Sequence, residues 1–200
     1  MKELILKKGK LNKNSFEEIT SFLKKEKIAV LPTDTIYGLS ARADSLEARN
    51  RILKMKEREG KPFILLASSI EMILKYSYLN KRQQEYINEK NNKNKRPTTY
   101  ILNLKKDNPL SFLSKDGSIA LRLPKRPFLI KIIEELNIPL ISTSLNISGS
   151  EVVNDLKLIK NNYFRNEKPD IILNEGVCKN KKASKIVDLR DVNNIIIIRK

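Results

Sequence analysis

The stretch Ile28–Leu39 (IAVLPTDTIYGL) places an apolar run, a polar turn and a second apolar run next to one another. The apolar run Ile28–Leu31 ends at Pro32, and a short run of this kind predicts a core strand. Thr33–Leu39 then crosses a glycine-containing turn into a second strand. Short polar side chains at the end of a core strand suit capture of a small polar ligand. In an ordinary turn the same residues bond the local backbone instead.

The rest of the chain shows both helical and strand periods. Ser15 and Glu18 have the spacing of a capping box before an apolar helical stripe. The run Glu89–Arg96 is polar and prone to turns, whereas the longest apolar tract, Ile195–Ile198, predicts a buried strand. The other predicted segments are the helices Ser45–Lys56, Ser69–Tyr76, Lys81–Glu89 and Phe128–Leu136 and the strands Phe63–Ala67, Thr99–Leu104, Ile119–Leu123, Leu140–Thr143, Ile171–Leu173 and Ser184–Leu189.

These predicted strands and helices alternate without a strict strand–helix–strand order. Such mixing favours an α/β (α+β) fold over a regular doubly wound sheet. The chain has 200 residues, which suffice for one sizeable domain, and it shows no internal repeat and no long linker. We therefore expect residues 1–200 to form a single domain.

The composition excludes several kinds of catalytic site. The chain contains no histidine, so a Ser-His-Asp triad, a Cys-His pair and a histidine-bound metal are all excluded. Cys178 is the single cysteine, which excludes a disulfide within the chain and a cysteine-rich zinc site. Catalysis would therefore use carboxylates, Lys, Tyr, a nucleophile without a histidine partner, or the positioning of substrates by cations. We expect no metal held by the protein itself.

The formal net charge is +17, from 40 Lys and Arg against 23 Asp and Glu. Such a field attracts nucleotide phosphates or nucleic acid, but general overuse of lysine explains much of the same charge. The N-terminal apolar run is too short for a signal peptide, and no window approaches the length of a membrane span. We therefore expect a cytoplasmic protein that has no membrane segment.

Three further segments group residues suited to binding an anion. Lys54–Pro62 has four cations near a predicted helix end, which act either as helix capping or as a polyphosphate clamp. Strand alternation in Ser118–Pro124 places Arg122 among small residues, as a carboxylate anchor or a solvent-facing side chain. Ser142–Gly149 crowds hydroxyls and an amide after an apolar strand, and it lacks the spacing of a Walker A loop.

The order of these segments resembles the YrdC family of threonylcarbamoyl-AMP synthases. The resemblance runs from about Ile28 to Arg199 and rests on six motifs in sequence. They are PTDTIYGL, KxR with KPF, P-x-T before a strand (Pro97, Thr99), ALRLP, STSLNISG and SKIVDL.

The resemblance implies a YrdC-like fold, in which a twisted mixed β-sheet with flanking helices forms a concave basic cavity. It implies an L-threonylcarbamoyladenylate synthase, a nucleotidyltransferase that uses L-threonine, bicarbonate and ATP, with Mg²⁺ as a helper bound mainly by phosphates and water. The product would serve the N6-threonylcarbamoyladenosine modification of tRNA, with tRNA-modification proteins, tRNA or double-stranded RNA as partners. By matching positions, the catalytic residues are Lys56, Arg58, Ser144 and Asn146, the ATP-binding residues Arg58, Lys61, Ser118, Ser144 and Arg199, and the threonine-binding residues Thr35, Arg122, Ser142 and Ser184.

The chain also departs from the family pattern. The usual Ser-Ala-Asn is Ser144-Leu145-Asn146 here, and Asn94–Pro97 replaces the usual Trp-Pro-Gly-Pro. Two other hypotheses stay open at this point, because the net charge of +17 and the basic run Lys90–Arg96 also suit RNA binding, and the KxR and SxN groups do not fix the carbamoyl substrate. One is a YrdC-like RNA-binding protein without synthase activity, and the other is a paralogue that activates a different carbamoyl substrate.

Overall fold

The computed structural model describes residues 1–57, 62–153, 155–160, 163–164, 167–178 and 182–200. Within these ranges no helix is both long enough and apolar enough to cross a membrane. The strands are β1 Lys2–Ile5, β2 Ala29–Pro32, β3 Tyr37–Arg42, β4 Ile64–Leu66, β5 Ser77–Tyr78, β6 Thr98–Leu104, β7 Ser118–Arg122, β8 Leu140–Ser144, β9 Ile171–Asn174, β10 Lys185–Asp188 and β11 Ile196–Arg199. The helices are α1 Lys13–Lys24, α2 Leu46–Lys56, α3 Ile70–Tyr76, α4 Lys81–Lys93, α5 Pro127–Leu136 and α6 Lys157–Lys160.

In the described part of the chain the strands form one mixed sheet in the order β1-β9-β2-β3-β8-β4-β7-β6-β10-β11, and β5 pairs with β6. The pairs β1–β9, β2–β9, β4–β7 and β6–β10 are parallel, and the remaining pairs are antiparallel. Helices α1 and α5 pack on one another, and α1 also contacts β2 and β3. The fold class predicted from the sequence, a mixed sheet with flanking helices, is confirmed.

Helix α2 begins as the sequence predicts. The hydroxyl of Ser45 accepts a hydrogen bond from the backbone N–H of Ala48 at 3.0 Å, which satisfies one of the unpaired donors of the first turn. The helix ends at Lys56, because the next residue, Glu57, has left-handed backbone angles with φ at +46°. This end delivers Lys56 into the protein interior, where its side chain is buried.

Three local predictions need correction. The N-cap of α1 is Asn12, whose side chain accepts from the N–H of Ser15 at 2.8 Å, so Ser15 lies inside the helix. Helix α4 continues through Lys93 into the run predicted as turns, because that part has no Gly or Pro and Lys93 bonds Glu89 one turn earlier at 3.2 Å. Ile196–Ile198 form a strand as predicted but are each more than half exposed, because β11 is an edge strand.

Candidate active site

A cavity of about 450 Å³ opens on the sheet where the β2–β3 turn meets the ends of β7 and β8 and the strands β10 and β11. Its described lining contains two arginines and no carboxylate. The predicted basic character of the whole cavity stays a prediction, because Arg58 and Lys61 lie outside the described residues. The described lining comprises Thr33, Thr35, Ile36, Tyr37, Gly38, Pro62, Ile64, Arg122, Ser142, Thr143, Ser144, Val152, Ala183, Ser184, Ile186 and Arg199.

Arg122 ends β7 and is only 3% exposed. Its guanidinium lies 3.3 Å from the carboxylate of Asp34 and donates to the hydroxyl of Thr35 at 3.3 Å. Burial lowers the pKa of Arg122, and the Asp34 carboxylate opposes that shift. Its Nε has no hydrogen-bond partner in the described part of the chain.

The β2–β3 turn holds Thr35 in place before any ligand binds. The hydroxyls of Thr33 and Thr35 are 2.8 Å apart, and the Thr33 hydroxyl donates to the carbonyl of Ile36 at 2.6 Å. The N–H of Thr35 donates back to the Thr33 hydroxyl at 3.1 Å. The local turn bonding expected for these residues is therefore present, and it serves to orient a cavity side chain.

Gly38 allows β8 to approach the cavity floor. A Cβ at this position would lie 2.9 Å from the hydroxyl of Ser142 and 3.3 Å from the carbonyl oxygen of Thr143. Both distances are shorter than ordinary carbon–oxygen contacts, so a larger residue would push the Ser142 side chain away. The glycine of the β2–β3 stretch is therefore required by packing against a predicted threonine-binding residue.

The loop after β8 is held from behind by Lys56. The Lys56 ammonium lies 2.8 Å from the carbonyl of Ser144 and 2.9 Å from both the carbonyl and the side-chain oxygen of Asn146. The Ser144 hydroxyl donates to the same Asn146 side-chain oxygen at 2.6 Å, and the Asn146 amide donates to the carbonyl of Ser150 at 2.7 Å. An ammonium has three N–H donors, so these three oxygens can engage all of them. The side chain thus fixes the loop and places a positive charge beneath it.

The last two strands supply the other side of the cavity. Arg199 donates from Nε to the carbonyl of Ser184 at 2.8 Å and from Nη2 to the Ser184 hydroxyl at 3.2 Å. The Ser184 hydroxyl is also 2.8 Å from that of Thr99, because β10 pairs with β6. Burial lowers the pKa of Arg199, and the neighbouring charge of Arg96 lowers it further. No salt bridge to Arg199 occurs among the described residues.

Comparison with known proteins agrees with the family resemblance seen in the sequence motifs. A family model described as Telomere recombination (Sua5, YciO and YrdC) matches residues 21–200. This chain belongs to that family. A Methanocaldococcus jannaschii protein, provisionally named a threonylcarbamoyl-AMP synthase, is 35% identical over all of this chain and 93% of its own length.

Two solved structures of the Sua5–YciO–YrdC family share the fold. The crystal structure of E. coli YciO covers all of this chain and 94% of its own, with a TM-score of 0.83 and 25% identity. The crystal structure of P. abyssi Sua5 complexed with L-threonine has a TM-score of 0.83 at 22% identity and covers 99% of this chain and 56% of its own. The family resemblance predicted from the sequence motifs is therefore confirmed.

Most of the site residues predicted from this family converge in the structure. Thr35, Arg122, Ser142, Ser144, Ser184 and Arg199 line the cavity, and Lys56 and Asn146 support the loop that carries Ser144. Arg58 and Lys61 lie outside the described residues. Ser118 is the exception, because it lies at the far end of β7 from Arg122 and its hydroxyl donates to Asp116 at 2.6 Å. The structure does not bring Ser118 to the cavity.

Three residues that support the candidate site were given no site role from the sequence alone. Asp34 pairs with Arg122, Thr33 orients Thr35, and Thr99 contacts Ser184. All three lie inside the family motifs quoted above, and that position was the signal in the sequence that they belong to the site. Their partners were not readable from the motifs, because Thr99 and Ser184 are 85 positions apart and meet through the parallel pairing of β6 with β10.

Proposed function

We propose that this chain is an L-threonylcarbamoyladenylate synthase, a nucleotidyltransferase that forms threonylcarbamoyl-AMP and pyrophosphate from L-threonine, bicarbonate and ATP. The observation that supports this most strongly is the convergence of Arg122, Thr35, Ser144 and Arg199 around one cavity. The name of the M. jannaschii relative and the L-threonine bound to P. abyssi Sua5 agree with it.

In the proposed reaction Arg122 receives the carboxylate of threonine. The Arg122 side chain lines the cavity and supplies the positive charge that pairs with a carboxylate, and Thr35 lies beside it in the same wall. Ser142 and Ser184 line the same cavity. Their hydroxyls can accept a hydrogen bond from the threonine amine or form one with the threonine side chain. Because Arg122 and Thr35 are held by Asp34 and Thr33 beforehand, threonine binding needs little reorganisation of the protein.

The chemistry then needs charge neutralisation more than a general base. The threonine amine combines with bicarbonate to give a carbamate and water, and a carbamate oxygen attacks the α-phosphorus of ATP. A P–O bond forms as the bond to the β-phosphate oxygen breaks, and pyrophosphate leaves. Bicarbonate, the carbamate and ATP are all anions, so the positive charge of Lys56 beneath the Ser144–Asn146 loop lowers their repulsion and stabilises the transition state. Arg58 would add a second cation by its position in the KxR motif.

Mg²⁺ fits this site only as an ion that is bound to the nucleotide. The described cavity lining has hydroxyls and no carboxylate, and the described residues contain no cluster of three or more metal-binding side chains. Phosphate oxygens and water would therefore hold the ion, and it would add positive charge at the phosphates. The protein's part is to position the triphosphate with Ser144 and Arg199.

The product would serve the N6-threonylcarbamoyladenosine modification of tRNA, in which tRNA-modification proteins transfer the threonylcarbamoyl group to the tRNA. The direct test supplies radiolabelled bicarbonate with ATP and each amino acid in turn, and measures labelled adenylate. Labelled threonylcarbamoyl-AMP with threonine alone is the expected result. A labelled adenylate with another amino acid would instead support the paralogue hypothesis. Salt-sensitive RNA binding with no consumption of ATP would support the RNA-binding hypothesis.

A further inference from the structure

A second concave surface, which we call the α1–α5 groove, shares no described lining residue with the cavity. It has a volume of about 510 Å³ and lies where the loop before α1 meets the first turns of α1 and α5. The two helices run side by side in the same direction, because Lys24 and Glu135 pair at 2.5 Å in their last turns while their first turns both line the groove. The lining comprises Gly9, Lys10, Leu11, Lys13, Phe16, Pro127, Phe128 and Lys131.

Four of the side chains that line the α1–α5 groove are apolar. Phe128 is 5% exposed and belongs to the core of the protein, and Leu11 and Phe16 are half-buried against that core. Pro127 is the first residue of α5 and is exposed. Apolar side chains that line a concave surface and keep contact with water favour a ligand that brings apolar groups of its own.

Every charged side chain in this lining is a lysine. Lys10, Lys13 and Lys131 are exposed and form the rim of the groove, and the turn Lys7–Lys10 adds two more exposed lysines beside it. In the described part of the chain Lys13 alone among these five forms a salt bridge, with Glu17 at 3.8 Å. The rim therefore presents positive charge directly beside the apolar side chains.

The starts of both helices add to this positive potential. Neither helix has an acidic residue in its first turn. The N-cap position of α5 is occupied by Arg126, whose side chain has no acceptor atom and makes no capping hydrogen bond. The carboxylate of Glu175 lies near Gly9, but it is already bonded to Arg126 at 2.5 Å. Carboxylates on a ligand would therefore be favoured both by the lysines and by the positive ends of the two helix dipoles.

We propose that the α1–α5 groove docks an acidic, amphipathic helical segment of a partner protein. Apolar side chains on one face of that segment would cover the four apolar side chains of the groove, and its Asp and Glu residues would face the three lysines of the rim. Nucleic acid offers phosphates but no apolar side chains, and a flat membrane surface cannot follow a concave lining. Each of them complements only part of the groove, whereas an acidic amphipathic segment complements all of it.

The test is a fluorescence-anisotropy titration of a labelled synthetic peptide with the full chain in about 0.1 M salt, where charges more than about 10 Å apart are largely screened. The peptide has about 12 residues, with leucines on one helical face, glutamates beside them and alanines elsewhere. A control peptide has the same composition, with its leucines spread around the helix. The amphipathic peptide is expected to bind at least about tenfold more tightly, because only its leucines can be buried together.

The charge of the rim is tested by the double variant Lys10→Glu with Lys131→Glu. Reversal of these two exposed charges turns attraction into repulsion, so binding of the amphipathic peptide should weaken by about tenfold. The matched control is Lys106→Glu with Lys115→Glu, which makes the same charge change at exposed lysines outside the groove and should leave binding within about twofold. Thermal unfolding and adenylate synthesis of both double variants should match those of the wild-type chain, because none of the four lysines is buried or lines the cavity.

Three results would overturn the docking groove. They are equal binding, or no binding, of the two peptides by the wild-type chain, equal weakening by the two double variants, and binding of a DNA duplex or of phosphatidylserine vesicles that depends on the rim as strongly as binding of the peptide does. The last result would mean that the rim attracts polyanions in general. The groove does not depend on the proposed function, so a wild-type chain that makes no adenylate but binds the peptide through the rim would refute the synthase and sustain the groove.

Discussion

Arg122 and Arg199 line the same cavity, yet the protein holds the two guanidinium groups by different means. Arg122 is almost fully buried at the end of β7, with the carboxylate of Asp34 and the hydroxyl of Thr35 both at 3.3 Å. Arg199 lies on the edge strand β11, and its recorded partners are the carbonyl and hydroxyl oxygens of Ser184. One cation is therefore neutralised by the protein, whereas the other is bonded only to neutral groups.

This difference predicts that the two arginines contribute differently to the stability of the fold and to ligand binding. Removal of one member of a buried ion pair leaves the other as an uncompensated buried charge, so the Arg122 site is coupled to stability. Removal of a cation that has only neutral partners and a like-charged neighbour leaves no stranded charge. Substitutions near Arg122 should therefore damage folding and threonine binding together, and substitutions at Arg199 should damage nucleotide binding with little effect on folding.

The largest effect is expected for Arg122→Leu. It removes the guanidinium that faces the buried Asp34 side chain, so the free energy of unfolding should fall by about 3–5 kcal/mol. Loss of the carboxylate anchor should also raise the KM for threonine by about 100-fold or more. Urea unfolding and steady-state kinetics measure the two effects.

The double variant Asp34→Asn with Arg122→Leu is the matched control. It removes the negative charge that Arg122 balanced, so most of the lost stability should return while threonine binding stays weak. Recovery of threonine binding together with stability would show that Arg122 acts on the fold and does not contact the substrate.

Lys56→Met extends the comparison to a third buried cation, one held by the oxygens of Ser144 and Asn146. Without its ammonium the loop loses its fixed shape and the charge beneath it, so kcat/KM should fall by about 100-fold. Lys54→Met is the control, since Lys54 is exposed on the same helix turn and its loss changes the net charge equally. Equal effects of the two variants would refute the role given to Lys56.

The sequence predicts much of this site because its polar residues cluster at strand ends. Ser45 and Lys56 bound a helix as the pattern indicates, and Thr35 and Ser142 fall beside predicted core strands that meet in the sheet. The pairing of Arg122 with Thr35 across 87 positions could not be read, because periodicity gives the face of a strand and not its neighbours.

The same limit explains the wrong prediction for the last strand. An uninterrupted apolar tract such as Ile196–Ile198 is typical of a strand covered on both faces. Here the tract occupies the edge of the sheet and stays exposed. Strand order depends on pairing between distant segments, here β6 with β10 and β10 with β11, and the hydrophobic pattern of one strand carries no information about it.

Arg199→Met tests the other half of the comparison. The KM for ATP should rise by about tenfold, the cost of one charge-assisted contact, and by more than the KM for threonine, which can change only through the Ser184 hydroxyl that Arg199 bonds. The free energy of unfolding should change by less than about 1 kcal/mol, because the variant strands no buried charge. A loss of stability as large as that of Arg122→Leu would mean that the two arginines do not differ in the way proposed.

The smallest effect is expected for Gly38→Ala, which alters geometry on the Arg122 side without touching any ion pair. The new methyl group would lie 2.9 Å from the Ser142 hydroxyl, so that side chain must rotate away. We expect the KM for threonine to rise by about threefold to tenfold, since one neutral hydrogen bond is lost. Ser142→Ala should produce a similar rise for the same reason.

The double variant Gly38→Ala with Ser142→Ala decides whether the two residues act together. If the methyl group acts by displacing the Ser142 hydroxyl, the double variant should be no worse than either single variant, because the same contact is lost once. Additive losses would instead place the effect in the backbone, through the carbonyl of Thr143 at 3.3 Å from the added Cβ. The backbone of β8 would then help to shape the threonine end of the cavity. The difference between the Arg122 side and the Arg199 side would in that case involve the whole strand β8 and not Arg122 alone.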